Sequence, residues 1–277
     1  MNREALRLSA QRRGGRMELT FGNPGVDQMI REIMAFQTEG EADFWSAPLY
    51  AFYPQIDKEY AEKLPFKNKK NYLDEMLRKE YASVEGAINE KVILYSKHWN
   101  ACKEQITAAL SDAFAVDCAG LFPDLRCNVS MNPVQPRSLT EKSFDIFYLN
   151  SEKGAIGTAI HELIHFVWFY VWNGLFHDSY EEYERPSLKW LLSEMVVEAV
   201  MGDKRLSTIN PYYPREQGGC IYPCFFDLKT GGTLLLDTLD EMYRNRSIDE
   251  FMKDSYAYCR EHEQEIREHV GRELLAT

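Results

Sequence analysis

His161, Glu162 and His165 stand inside the run GTAIHELIHFVWFYVW, residues 157–172, among Ile, Leu, Phe, Val and Trp. Four residues along an α-helix return to the same face, about 6 Å further along the axis, so the two imidazoles can share one metal ion. Glu162 is turned by about 100° from His161, which puts its carboxylate beside a metal-bound water rather than on the metal. Two neutral nitrogen ligands with a base next to them make a complete unit for metal-assisted chemistry. Left without partners in such a run, these groups would cost several kcal/mol, which a metal offsets. The alternative is a pair of core histidines satisfied by backbone or tyrosine.

A catalytic zinc keeps three protein ligands and one open position, so a third ligand must come from another element. The metzincin pattern puts it six residues after the second histidine, where this chain has Val171, and that pattern is excluded. LLSEMVVEAV offers Glu194 and Glu198, four apart on an otherwise apolar helix. Two carboxylates so placed repel unless a cation or hydrogen-bond donors intervene. The acidic loop 178–184 is a further source of the third ligand.

With HExxH followed by a glutamate on a later helix, residues 143–203 resemble the gluzincin branch of the zincin metallopeptidases. The resemblance implies a zinc-dependent peptidase acting on a peptide or protein, with His161, His165 and Glu194 as ligands and Glu162 as general base. It further implies that Glu198 holds the imidazole of the first ligand histidine. The chain departs from the pattern in three ways: Glu198 stands where Asp is usual, Ser193 stands where Asn is frequent, and 28 residues separate His165 from Glu194. SFDIFYL, 143–149, fits the strand that borders the zincin cleft and pairs with extended substrate; otherwise it is core sheet. His177, Tyr212 and Tyr213, in turn-rich segments flanking the ligand helix, are candidates for stabilising an oxyanion. A non-catalytic binding or regulatory protein that keeps the zincin fold is the rival reading, and the intact HExxH speaks against it.

Composition narrows the setting. A formal charge of −11 and a pI near 5.1 exclude a nucleic-acid scaffold, which needs a concentrated basic face. Residues 155–172 come near the length of a membrane span, but no comparable second run exists, so no membrane partner is expected. Six cysteines in a chain this long read as thiols of a reducing cytoplasm. Cys220, Cys224, Cys259 and His262 are the alternative, as a structural metal site without a familiar spacing. Residues 1–16, with five arginines and one glutamate, read as a basic tail or as sequence ahead of a start at Met17. An organelle-targeting segment is the other reading.

The elements that must position these residues follow from periodicity. NPGVDQMIREIMAF predicts an amphipathic helix, and Tyr72 to Phe114 predicts a long helical region broken near His98–Asn100. RCNVSMNP alternates as a half-exposed strand, and SFDIFYL is a second strand. The HELIH helix is expected to close at Asn173-Gly174, and the helix through LKWLLSEMVVEAVM to run from Pro186-Ser187 to Gly202. TLLLDTLDEMY and SIDEFMKDSYAYC are helical, with Ser247 and Glu250 at capping-box spacing. The expected class is α+β, mostly α, with a small sheet ahead of a central helix that carries the site. A single zincin-like domain is expected over 17–277: a helical part 17–120, the sheet and site helices 121–205, and a helical part 206–277.

Overall fold

The computed structural model describes residues 17–211, 214–271 and 273–275. Along the chain run β1 (Leu19–Gly22), α1 (Val26–Ala35), α2 (Asp43–Phe52), α3 (Lys58–Lys63), α4 (Phe66–Phe114), β2 (Leu125–Ser130), β3 (Arg137–Ser138) and β4 (Ser143–Phe147). There follow α5 (Glu152–Phe176), α6 (Leu188–Met201), α7 (Lys204–Ser207), β5 (Lys229–Thr230), β6 (Thr233–Leu234), α8 (Leu235–Asn245), α9 (Ile248–Glu261) and α10 (Glu263–Val270). This is an α+β chain, mostly α. Two compact units are distinguished, one comprising 17–19, 99–125 and 156–270, the other 20–98, 126–155 and the described residues after 270.

The second unit holds the larger sheet, in the order β1-β2-β4-β3, with β2 parallel to β4 in the register Arg126↔Ser143 to Ser130↔Phe147, and β3 antiparallel to β4. The half exposure expected of β2 is corrected here, because from Cys127 onward both of its faces are buried. Its polar side can be buried because its members find partners. The Asn128 amide donates to Asp145 Oδ1 at 3.0 Å, and Ser130 Oγ accepts the Asn132 N–H at 3.0 Å. Burial, reinforced by the Glu32 carboxylate on α1, pushes the Asp145 carboxyl well above its ordinary range. All of β4 is buried, and its outer N–H groups are occupied: Asp145 donates to the Pro136 carbonyl at 2.9 Å and Phe147 to Gln135 Oε1 at 3.0 Å. The strand edge considered for peptide pairing therefore already carries bonds from the chain itself at these two positions.

Helix α1 buries Met29, Ile30, Ile33 and Met34 as its stripe predicts. The break expected near His98–Asn100 is absent, and α4 is continuous over 49 residues. No Gly or Pro interrupts it there, and the buried Trp99 side chain is accommodated on the helix. Helix α5 also exceeds its predicted end, continuing past Asn173-Gly174 to Phe176. The Asn173 amide donates to the Asp178 carbonyl at 2.6 Å and to Tyr183 Oη at 3.2 Å, so it anchors the next loop. His177, at φ 59°, takes the left-handed turn expected of Asn173-Gly174.

In the first unit α6 packs on α8 and α9. Its ends follow the predicted caps: Ser187 Oγ accepts the Trp190 N–H at 3.0 Å, and Gly202 N–H donates to the Glu198 carbonyl at 2.9 Å. Ser247 and Glu250 form the predicted capping box at the start of α9. Helix α5 has no wet face at its centre: Leu163, Ile164, Val167 and Trp168 are buried, and Trp168 meets Phe251 of α9 with ring centroids 5.8 Å apart. That packing fixes the rotation of α5 and hence the direction of its two histidines.

Candidate metal centre

His161 and His165, one turn apart on α5, bring their Nε2 atoms to 3.0 Å, and Glu194 of α6 completes a triangle. Its Oε2 lies 3.4 Å from His165 Nε2 and 3.6 Å from His161 Nε2. An ion bound tetrahedrally at about 2.0–2.1 Å separates its donors by about 3.3 Å, so these three side chains could hold a metal ion. Two imidazole nitrogens and one carboxylate oxygen suit a first-row transition metal better than magnesium or calcium. Among the described residues, these three are the one group of three or more His, Cys, Asp or Glu side chains placed to hold a metal. His165 and Glu194 are sealed, at 0% and 1% side-chain exposure, whereas His161 is 18% exposed, so solvent approaches from the His161 side. Glu162, nearly buried, has Oε1 4.0 Å from His161 Nε2, beside the triangle and outside it.

The orientation of His161 comes from a segment that carries no recognisable motif. Its Nδ1 lies 3.1 Å from the Cys220 carbonyl. A carbonyl only accepts, so Nδ1 carries the proton and Nε2 presents its lone pair to the triangle. This is the support that the family resemblance assigns to Glu198. Glu198 Oε1 accepts from Arg215 Nε at 2.7 Å, and Arg215 Nη1 donates to Asp237 Oδ1 at 2.8 Å. Burial pushes the Cys220 thiol up to about 12, with the Glu198 charge adding to the effect. Its sulfur is therefore a neutral thiol at physiological pH, and its backbone oxygen does the orienting. One turn before His161, a Cβ at Gly157 would meet Asn210 Nδ2 at 3.0 Å, so the glycine lets the chain after α7 lie close against α5. Arg215 and Asn210 carried no signal in the sequence, and Cys220 was legible only as a thiol of a candidate separate metal site; the Gly218-Gly219 pair was the available signal of a tight turn.

Other candidates lie elsewhere. His177 is exposed at the end of α5, 12 residues beyond His165, about 18 Å along the axis, too far to act on the triangle. Tyr212 and Tyr213 fall outside the described residues, as does the basic stretch 1–16. In the acidic loop, Asp178 accepts from Trp172 Nε1 at 2.9 Å and pairs with Lys189, which also pairs with Glu182, so these carboxylates fasten the loop to α5 and α6. Cys220, Cys224, Cys259 and His262 do not assemble as a metal site among the described residues; His262 Nδ1 bonds Glu265 Oε1 at 2.6 Å. No helix among the described residues is long and apolar enough to cross a membrane. Comparison with protein-family models, with curated protein sequences and with solved structures returned no match.

Proposed function

We propose that this protein is a zinc-dependent peptidase of the gluzincin type, with a zincin-like fold, acting on a peptide or protein in the cytoplasm. The observation that carries the reading is the triangle of His161 Nε2, His165 Nε2 and Glu194 Oε2, with sides of 3.0, 3.4 and 3.6 Å. These three residues would hold zinc, which when bound acidifies a water and polarises a carbonyl. Glu162, next to the triangle, takes the proton from the attacking water and returns it to the leaving amine. His161 is held in the Nδ1-protonated tautomer by the Cys220 carbonyl, so it serves as a ligand and does not compete as a base. The apolar packing around α5 and α6 excludes water from the inner side of the site and strengthens these charges. The six thiols support the cytoplasm as the compartment.

Metal analysis of purified wild type and of His161→Ala, paired with mass-spectrometric profiling of cleavage in a broad peptide library, tests the proposal. About one zinc per chain in the wild type, lost in His161→Ala, and cleavage lost in Glu162→Gln are expected. Equal metal content in wild type and His161→Ala, or no cleavage by the zinc-loaded wild type, overturns it.

A further inference from the structure

We propose that Arg215 is a positioning residue for this centre: it holds the turn 214–220 in the conformation that delivers the Cys220 carbonyl to His161. The inference rests on the reading of His161 as a metal ligand. Arg215 is the point at which the turn is tied down. Its guanidinium donates to Glu198 on α6, one turn beyond Glu194, and to Asp237 on α8. Glu198 is nearly buried, with 10% of its side chain exposed, so removing the guanidinium strips a sheltered carboxylate of its cation. That carboxylate stands four residues from Glu194 on the same helix face, where unscreened like charges repel.

Between Arg215 and Cys220 the backbone has little freedom. Gly218 N–H donates to the Arg215 carbonyl at 3.1 Å, and Gly219 N–H to the Pro214 carbonyl at 3.1 Å. Gly218 and Gly219 have φ of 104° and 63°, which side-chain-bearing residues rarely adopt. A Cβ on Gly219 would lie 2.4 Å from the Phe226 ring, so this turn is closed from outside as well. The next residue is Cys220, whose carbonyl sits 3.1 Å from His161 Nδ1. Force applied at Arg215 is therefore passed through five residues to the ring that the metal needs. Lysine at 215 would keep the charge without the fork that spans two carboxylates.

The test uses full-chain protein labelled with ¹⁵N-histidine and freed of metal, together with zinc affinity measured by chelator competition. Wild type is expected to show His161 protonated at Nδ1, with slow exchange of that N–H. In Arg215→Ala the N–H exchanges faster and zinc binds about 10–100-fold more weakly, as for other groups that orient a ligand. Arg215→Lys recovers part of both. Asp237→Asn, which alters only the more exposed partner, is the milder variant and shifts both readouts in the same direction by a smaller factor. Wild-type spectra and zinc affinity in both Arg215→Ala and Asp237→Asn overturn the positioning role. If wild type binds zinc no more tightly than His161→Ala, the metal reading fails by itself, while the metal-free spectra still decide whether Arg215 orients His161.

Discussion

Replacing Glu194 by Gln removes the anionic donor from the triangle while keeping the shape of a side chain that is only 1% exposed. Zinc at about a thousandfold over its dissociation constant stabilises the native state by about 4.1 kcal/mol through mass action. Groups that merely orient a ligand already change affinity by about 10–100-fold, so loss of a donor is expected to cost at least about 100-fold. At the same zinc concentration the weakened site retains about 1.4 kcal/mol. The difference, about 2.7 kcal/mol, corresponds to about 5–11 °C in Tm for a chain of this size. The assay is thermal unfolding of chelator-stripped wild type, Glu194→Gln and His161→Ala, each with and without zinc. Wild type is expected to gain about 8–16 °C on adding zinc, and Glu194→Gln no more than about 3–6 °C. Equal zinc-dependent gains in wild type and Glu194→Gln would refute the assignment, because the metal would then be binding somewhere that does not use this carboxylate.

Glu162→Gln is expected to bind zinc as wild type does and to lose about 10²–10⁴-fold in peptide cleavage, measured by turnover at equal metal loading. Asp145 holds its proton more tightly folded than unfolded, since burial and Glu32 raise it above the ordinary 3.8. The contribution of Asp145 to stability therefore falls as pH rises from about 4 towards the raised value and is level beyond it. Asp145→Asn removes that fall and raises the urea midpoint at neutral pH; an unchanged pH profile counts against the raised, buried Asp145 carboxyl. Ser187→Ala removes the cap of α6 at a cost of about 1 kcal/mol, read as a Tm loss of about 2–4 °C. Cys118, Cys220 and Cys259, pushed up to about 12 by burial first of all, are expected to resist iodoacetamide at pH 7.5 in the native state and to react promptly in urea. Rapid native labelling of Cys118 and Cys259, read by mass spectrometry, would contradict their burial.

Local pattern was legible wherever one short segment decides its own structure. The stripe of Met29, Ile30, Ile33 and Met34, the Ser187 cap and the Ser247–Glu250 box all depend on neighbours within a turn or so, and the structure shows each of them. The errors share the opposite character. Asn128 and Ser130 looked solvent-facing because polar residues usually are, yet Asp145 and the Asn132 backbone offer them partners inside the protein. Asn173-Gly174 looked like a helix end, but contacts to Asp178 and Tyr183 hold Asn173 within the helix, and the left-handed turn falls on His177.

The same division runs through the candidate site. The sequence by itself determined that His161 and His165 face one way and that Glu162 stands beside them, because the 3.6-residue period of a single helix sets those relations without any other part of the chain. Only the tertiary structure decided which glutamate meets them. Glu194 and Glu198 share one face of α6 and differ by about 6 Å along its axis, so the choice depends on how far α6 is slid along α5, which core packing sets. The source of the His161 hydrogen bond was likewise beyond reach, since Cys220 contributes a backbone carbonyl, a group every residue has, and only the path of the glycine turn brings that one to the ring.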